Sequence, residues 1–327
     1  MPEIKPQVIA PRLVHNRALM DKFLAARGIK AQWPAVEQQL ESVVVGGLDA
    51  GAYNPSIAQY RGRLVMAYRF HDTTLKTKIG IAELSENLIV TGKQTLDVGE
   101  EADKSIEDGK LFVLKNDLWL NFVVSTWPEF PSSQVKNLML TKPDHWRTSD
   151  KDMYWVSARK TMEKNHVPFV HEEVLHIIWH QAMPEDGEPK QVIYTPADKR
   201  EMKTPALRWP YGQFKGGTIP ILWNGKLLSF FHSRLDNEMP IKFGKGWRYY
   251  VGAVLRRAIP PFDMLAISKR PILRGSEVGG DESRFHFKPN VVFPLGAIEH
   301  GGGWLVSVGV NDSQCLLVKI TEKDLQL

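Results

Sequence analysis

One two-strand phrase recurs five times along this chain of 327 residues. Each copy has a small polar cluster, an apolar stretch, a short turn, and a second apolar stretch that ends in polar residues. The clearest copy is KGGTIPILWNGKLLSFFHS, which runs from Lys215 to Ser233. The copies begin at Asn54, Glu107, Lys164, Lys215 and Asn290. Repetition of a unit this long predicts an array of similar supersecondary units.

Each copy is predicted to be a hairpin of two strands. Asn224-Gly225 is a strong hairpin signal because both residues tolerate the positive φ of a type I′ turn. Further strand candidates lie between the copies: KIGIAELS, QVKNLMLTK, PKQVIYTP, RYYVGAVLRR and CLLVKIT. Three or four strands per repeat, with little helix, predict an all-β fold, a five-bladed β-propeller.

Only the N-terminal region has a helical pattern. NRALMDKFLAARG places Leu19, Met20, Phe23 and Leu24 on one face, and Gly28 could end the helix. We therefore expect residues 1–46 to form a helical extension packed on the propeller, and residues 47–327 to form the catalytic domain. The sequence contains no linker rich in Gly, Ser and Pro that would indicate two separate domains.

Composition narrows the classes of partner. The net charge is +5, but the basic residues are scattered, so we do not expect a nucleic-acid partner. No apolar run approaches the length of a membrane span, and no signal peptide is recognisable. Cys315 is the only cysteine, which excludes an internal disulfide; we expect a cytoplasmic protein. Ten tryptophans favour a sugar ligand slightly, since indole faces stack on sugar rings, although most buried tryptophans are simply core residues.

Charged, amide and hydroxyl side chains flank every copy of the phrase. In a propeller, these positions lie where the inner strands converge on the central channel. Each alone could be a solvated strand cap or a turn residue. Their recurrence at the same point of every copy favours a shared functional site. The set comprises Asn54, Arg69, Glu107, Asp108, Lys110, Lys164, Asn165, His180, Lys215, Thr218, His232, Arg234, Asn290, Asn311 and Asp312.

Six segments, in this order, resemble one known family: YNPSI…GRLVMAYR, EDGKL, EKNHVPF, KGGTIPI…GKLLSFFHS, YYVGAVL and NVVFPLG…VGVND. The family is the five-bladed β-propeller mannoside phosphorylases, glycoside hydrolase family 130, with the related β-1,2-mannosyltransferase/phosphorylases. The resemblance covers about residues 50–320. It implies an enzyme that cleaves or forms β-mannosidic bonds.

The resemblance also implies roles for individual residues. Asp108 matches the catalytic Asp of a Glu-Asp-Pro-Arg motif, in which Gly109 and Lys110 replace Pro and Arg. In that family the acid is thought to act through a hydroxyl of the substrate sugar. The phosphate-binding residues that the resemblance implies are Lys164, Lys215, His180 and His232. At His180 the family has an arginine. We add Arg69 because its guanidinium is a further cation that could bind phosphate. The expected substrate-binding residues are Asn54, Glu107, Asn165, Tyr250 (or its neighbour Tyr249) and Asp312.

The residue types suit phosphorolysis. One acid must protonate the departing oxygen, whereas phosphate, already a nucleophile, needs cations to hold it in line. We expect inverting phosphorolysis, or its reverse from mannose 1-phosphate. Inorganic phosphate would be the co-substrate, and neither a cofactor nor a metal is expected. The partner would be a small oligosaccharide or sugar 1-phosphate, and a homo-oligomer remains open.

Two other functions remain open on the sequence. An inverting hydrolase would need a second carboxylate as base, for which Glu107, Asp236 and Glu282 are loosely placed candidates. His180 favours this alternative, because histidine reproduces the bidentate phosphate contact of arginine poorly. A non-catalytic sugar-binding propeller would keep the aromatic and amide side chains but would have no need of Asp108.

Overall fold

The computed structural model describes residues 40–125, 133–141, 146–152, 164–180, 190–235, 248–275 and 290–327. Its helices are α1 (Glu322–Leu325) and a 3-10 turn at Gly99–Glu101. The strands, in chain order, are β1 (Ser42–Val44), β2 (Tyr53–Tyr60), β3 (Arg63–His71), β4 (Thr77–Leu84), β5 (Val90–Thr95), β6 (Ser105–Leu114), β7 (Asp117–Ser125), β8 (Ser133–Thr141), β9 (Arg147–Asp152), β10 (Val167–His171), β11 (Val174–His180), β12 (Lys190–Thr195), β13 (Arg200–Pro205), β14 (Gln213–Gly217), β15 (Ile221–Trp223), β16 (Lys226–Leu235), β17 (Arg248–Arg257), β18 (Met264–Ile267), β19 (Leu273–Arg274), β20 (Val292–His300), β21 (Gly303–Val310) and β22 (Gln314–Ile320). The predicted N-terminal helix lies outside the described residues.

The strands form five antiparallel sheets in the described parts of the chain. The first three sheets are simple meanders, β2–β5, β6–β9 and β10–β13. The fourth has the order β14-β16-β17-β18, with β15 beside β16 and β19 beside β17. The fifth has the order β1-β22-β21-β20. The predicted all-β propeller is confirmed, and each of the five repeats in the sequence begins a different sheet.

The sheets are arranged as a closed ring. The inner strand β2 contacts β6 of the second sheet and β20 of the fifth, and β6 also contacts β10 of the third. Strand β11 contacts β14, and β14 contacts β20, which completes the circuit. The first strands of the sheets therefore lie nearest the centre of the ring. This is the arrangement expected if the polar ends of the repeats converge.

A separate apolar cluster lies between each pair of neighbouring sheets. Phe122, for example, is fully buried among side chains from the first and second sheets. Equivalent clusters join the second to the third, the third to the fourth, the fourth to the fifth, and the fifth to the first. The middle strands are accordingly buried on both faces, which explains why their sequences are continuously apolar instead of alternating.

The fifth sheet is built from both ends of the described chain. Its outermost strand, β1, pairs antiparallel with β22, with Val43 opposite Leu317. Residues 42–44 therefore belong to the last sheet, although they precede the predicted start of the propeller at residue 47. Three residues are too short a strand for its hydrophobic pattern to be recognised in the sequence.

The helices are short throughout the described residues. None of them has the length and hydrophobicity needed to cross a lipid bilayer.

Because the apolar clusters pack neighbouring sheets together, removing a large side chain from one of them should destabilise the fold. Phe122→Ala should lower the free energy of unfolding by about 3–5 kcal/mol, because it leaves a cavity between the first and second sheets. Leu222→Ala is the matched control, since Leu222 is 63% exposed and its truncation should change stability by less than about 0.5 kcal/mol. Urea unfolding followed by tryptophan fluorescence measures both. Equal losses in the two variants would contradict the packing described here.

Candidate active site

Asparagine and aspartate begin the inner strands for a backbone reason. Asn54, Asp108, Asn165 and Asn290 all have positive φ, between 49° and 68°. Among residues with a Cβ atom, Asn and Asp enter this left-handed region most readily. Strands β2 and β6 carry register shifts here, between Tyr53 and Ser56 and between Glu107 and Lys110, as bulges that turn side chains out of the ladder.

The fourth repeat has its register shift at glycines instead of asparagine or aspartate. The shift in strand β14 lies between Phe214 and Gly217, at Lys215-Gly216. A Cβ atom on Gly216 would collide with the backbone carbonyl of Asn165, just before the third sheet. Gly216 therefore lets the third and fourth repeats approach closely beside Lys215.

Asp108 lies at the meeting point of the first two sheets. Its Oδ1 accepts a hydrogen bond from Asn54 Nδ2 at 3.0 Å and lies 3.4 Å from Arg69 NH1. The residue is only 6% exposed. The first and second repeats are thus joined directly through their first polar residues, as the convergence argument predicted.

Glu107, next to Asp108, is engaged through both carboxylate oxygens. Arg69 NH2 lies 3.4 Å from Oε1, and Lys164 Nζ donates to Oε2 at 2.6 Å. Arg69 also lies over the ring of Tyr53, 5.0 Å from its centroid. Arg69 therefore contacts both acids, while Lys164 brings the third sheet into the same group.

Charge keeps Asp108 ionised despite its burial. Burial alone would raise the pKa of its carboxyl group. The cations Arg69, Lys164 and Lys110, together with the Asn54 hydrogen bond, outweigh burial and lower the pKa below its ordinary value of 3.8. Asp108 is therefore a carboxylate that can accept a proton, and an anion bound to these cations would raise its pKa.

Lys110 belongs to the set of residues predicted to converge, but the sequence assigns it neither a catalytic nor a binding role. It is 1% exposed, and burial lowers the pKa of its ammonium group to about 8, against the opposing attraction of Asp108. Its charge also acts on His166 and His232. A functional role for Lys110 could have been inferred from its place in the Glu-Asp-Gly-Lys segment, because the resembled motif has an arginine at this position.

His232 and His166 are neutral in this structure. Burial, reinforced by Lys215 and Lys110, lowers the pKa of His232 to about 3. Burial and Lys110 lower the pKa of His166 to about 3 as well. The sequence places His232 among the cationic phosphate-binding residues, but with this lowered pKa it can offer a ligand a hydrogen bond and not a charge. Its ring stacks on Tyr249, with centroids 5.8 Å apart.

The fifth sheet contributes Asn311 and Asp312, both with positive φ. Asn311 Oδ1 accepts from the backbone N–H of Val291 at 3.0 Å, which ties this turn to the start of β20. Asp312 is 9% exposed, and its charge helps to raise the pKa of Arg69, against the opposing effect of burial. Asp312 is therefore within electrostatic range of the Arg69 group.

One predicted residue, Tyr250, stands apart from this group, and the side chain of another, His180, is not among those described. Tyr250 lies in an apolar cluster with Trp209 and Phe231, 5.6 Å from the ring of Tyr211, whereas its neighbour Tyr249 stacks on His232. His180 ends β11, where it pairs with Gln191, but its side chain lies outside the described residues. The candidate bases Asp236 and Glu282 also lie outside them. Asn165 is half-buried beside Lys164.

The described part of the chain contains no group of three or more His, Cys, Asp or Glu side chains placed to hold a metal ion. The polar groups that act on Asp108 are the cations Arg69, Lys164 and Lys110 and the neutral amide of Asn54. Such an arrangement suits an anionic ligand bound next to a hydroxyl-rich one.

No protein-family profile matches the sequence, and no curated protein matches it. Solved structures do match. β-1,2-Mannobiose phosphorylase from Listeria innocua, in complex with β-1,2-mannobiose, is 17% identical, covers 90% of this chain and 95% of its own, and has a TM-score of 0.62. The chain has the fold of the mannoside phosphorylases.

Two further structures agree. A mannose phosphorylase from Leishmania mexicana, in complex with a phosphate ion, is 14% identical over 94% of both chains, with a TM-score of 0.62. A structure described with hydrolases of glycoside hydrolase family 130 that target β-1,2-mannosidic linkages in Candida mannan is 14% identical. It covers 84% of this chain and 85% of its own, with a TM-score of 0.61. At these identities the likeness concerns the fold, and it confirms the fold that the sequence resemblance implied.

The geometry predicts a pH-dependent stability difference for Asp108→Asn. Because the folded-state pKa of Asp108 is lowered, its stabilising contribution is present above pH 3.8 and is lost as the pH falls through the folded-state value. The variant should be less stable at pH 7 by roughly 3–5 kcal/mol, since it removes one of the two carboxylates that compensate the cations of this buried group. The deficit should shrink towards pH 2. Urea unfolding at several pH values measures it, and a deficit independent of pH would contradict the assignment.

Proposed function

We propose that this protein is an enzyme that cleaves or forms β-mannosidic bonds by inverting phosphorolysis or its reverse, with mannose 1-phosphate as product or donor. The observation that carries the proposal is the charge around the buried acids. Arg69, Lys110 and Lys164 surround Glu107 and Asp108, so three cations lie around two adjacent carboxylates where a sugar-cleaving site needs an acid. The phosphorylases of the same fold, one of them with bound phosphate, support this reading.

In the proposed phosphorolysis, a phosphate oxygen attacks the anomeric carbon while the bond from that carbon to the departing oxygen breaks. Asp108 supplies the proton that the departing oxygen needs, through a hydroxyl of the sugar as the resemblance implies. Arg69, Lys164 and Lys215 would hold the phosphate, with His232 as a neutral hydrogen-bonding group. Asn54, Glu107, Asn165 and Asp312 would contact sugar hydroxyls.

Phosphate binding would also prepare Asp108 for this role. The acid must carry a proton before it can give one, yet Arg69 and Lys164 hold the pKa of Asp108 below its ordinary value. A phosphate dianion on the same cations would cancel their effect and raise the pKa of Asp108. In the synthetic direction the phosphate group of mannose 1-phosphate would occupy the same cations, and the carboxylate of Asp108 would accept the proton of the acceptor hydroxyl.

Hydrolysis is the second candidate function. It is favoured by the histidine at position 180, where the resembled phosphorylases have an arginine, and by the hydrolases that share the fold. Water would need a carboxylate as base. Glu107 is a poor choice because Arg69 and Lys164 engage both its oxygens. Asp312 is the other described carboxylate near the site.

Phosphorus and proton NMR of reactions with a panel of β-mannobiosides, with and without inorganic phosphate, test the proposal by detecting mannose 1-phosphate and free mannose respectively. We expect mannose 1-phosphate only when phosphate is present, and at least a 1000-fold loss of turnover in Asp108→Asn. Free mannose formed equally with and without phosphate would establish the hydrolase instead. Sugar binding that is retained in Asp108→Asn, with no turnover in either protein, would indicate a sugar-binding propeller and overturn the proposal.

Arg69→Gln should raise the KM for phosphate by about 10–100-fold, because it removes one charge-assisted contact to the anion. Arg63→Gln is the matched control: Arg63 lies on the same strand, is exposed, and pairs with Glu83 at 3.2 Å. Its KM should match that of the unaltered protein. Initial rates at varied phosphate measure both variants, and equal KM values for the two variants would exclude Arg69 as a phosphate ligand.

Lys110 should set the alkaline limit of activity. As the pH rises through about 8, Lys110 loses its proton and the site loses a positive charge. Activity should therefore fall near pH 8. Lys110→Arg should move this fall upward by at least one pH unit, because arginine stays charged. The pH dependence of kcat/KM for phosphate measures the shift, and an unchanged alkaline limb would show that another group titrates there.

A further inference from the structure

A second cluster of polar groups lies away from Asp108, between the third and fourth sheets. A small cavity there is lined by Arg256, Ser229, Thr218 and Lys215, with Val167 and Ile178 on its apolar side. The cavity volume is about 10 Å³, which is close to the minimum that one water molecule requires. The mechanism proposed above uses only Lys215 from this set.

Arg256 is a buried guanidinium with neutral partners. It is 1% exposed. Its Nε donates to Gln191 Oε1 at 2.7 Å, its NH1 donates to Ser229 Oγ at 2.7 Å, and the group lies 5.9 Å from the ring centroid of Phe214. No carboxylate forms an ion pair with it among the described residues. Since arginine does not lose its proton in proteins, this site contains a buried positive charge that no carboxylate in the described part of the chain compensates.

Gln191 fixes the position of this charge. Its amide nitrogen donates to the backbone carbonyl of Phe262 at 3.2 Å and lies 3.4 Å from Thr204 Oγ1. Its oxygen is therefore left to accept from Arg256. Because Gln191 belongs to the third sheet and Arg256 to the fourth, the network holds the guanidinium at the interface between the two sheets.

The two hydroxyl groups of the cavity are donors with unused hydrogens. Ser229 Oγ already accepts from Arg256, and Thr218 Oγ1 already accepts from the backbone N–H of Phe230 at 3.0 Å. Within the described residues neither hydroxyl hydrogen has an acceptor. The side chains therefore offer the cavity hydrogen-bond donors and positive charge, which an anion satisfies better than water does.

We propose that Arg256, Ser229 and Thr218 bind a single small anion, such as chloride, in this cavity, with Lys215 adding charge at its edge. The anion compensates the buried guanidinium and cross-links the third and fourth sheets. This site does not depend on the proposed mannoside chemistry. The site is therefore tested by thermal unfolding and by anomalous X-ray scattering, without an activity assay. The anion site and the mannoside activity can each be disproved without affecting the other.

Thermal unfolding of the full chain, at constant ionic strength with chloride exchanged for gluconate, tests the site. Chloride should raise the unfolding midpoint along a saturating curve, by roughly 2–5 °C. In Arg256→Met the chloride response should disappear. Arg257→Gln is the matched control, because Arg257 is the exposed next residue and pairs with Asp263 at 3.7 Å. It should keep the full response.

If Arg256→Met does not fold, a double variant can be tested in its place. Thr218→Val combined with Ser229→Ala keeps the guanidinium and removes both hydroxyl donors. It should weaken the apparent chloride affinity by about 10-fold or more. Crystals grown in bromide should show an anomalous peak within hydrogen-bonding distance of Arg256. The proposal is overturned if chloride does not shift the midpoint of the unaltered protein, if these variants respond as it does, or if bromide is absent from the cavity.

Discussion

The guanidinium of Arg69 connects the first sheet to two adjacent carboxylates of the second. It contacts Glu107 through one nitrogen and Asp108 through the other, while Tyr53 covers its face. Without it, two buried neighbouring acids would repel each other, and at least one would take up a proton. The ionisation of Asp108, the orientation of Glu107 towards Lys164, and the positive character of the site all depend on this one residue.

The same residue types serve the backbone and the chemistry. Asn54 and Asp108 occupy left-handed backbone positions at the starts of their strands, and they also form the hydrogen bond that joins two sheets. A recurring Asn or Asp in a repeat can thus be a conformational requirement before it is a functional one. The structure meets both requirements at once, which explains why these positions stand out even in a single sequence.

Much of the fold was predictable from the sequence, because hairpin turns and apolar strands are local signals. The repeat, the strand candidates and the convergence of Asn54, Arg69, Glu107, Asp108 and Lys164 all appear in the structure. What could not be predicted depends on packing between distant segments.

Lys110 and Tyr250 illustrate this limit. The burial of Lys110 and its effect on the two histidines result from the closure of the ring. Tyr249 and Tyr250 differ by one position in β17, and successive side chains of a strand point to opposite faces. The strand's register, which the sequence alone left undetermined, decides that Tyr249 stacks on His232 while Tyr250 joins an apolar cluster.

The pairing of β1 with β22 has a consequence for how this chain is made. The first three sheets are complete as soon as their own segments have left the ribosome, but the last needs residues from both ends of the described chain. Strand β1 emerges first and finds its partner last. Until then, the apolar sides of the first and fourth sheets that pack on the fifth have no cover. Chains interrupted near the end of synthesis would therefore be the form of this protein most prone to aggregate.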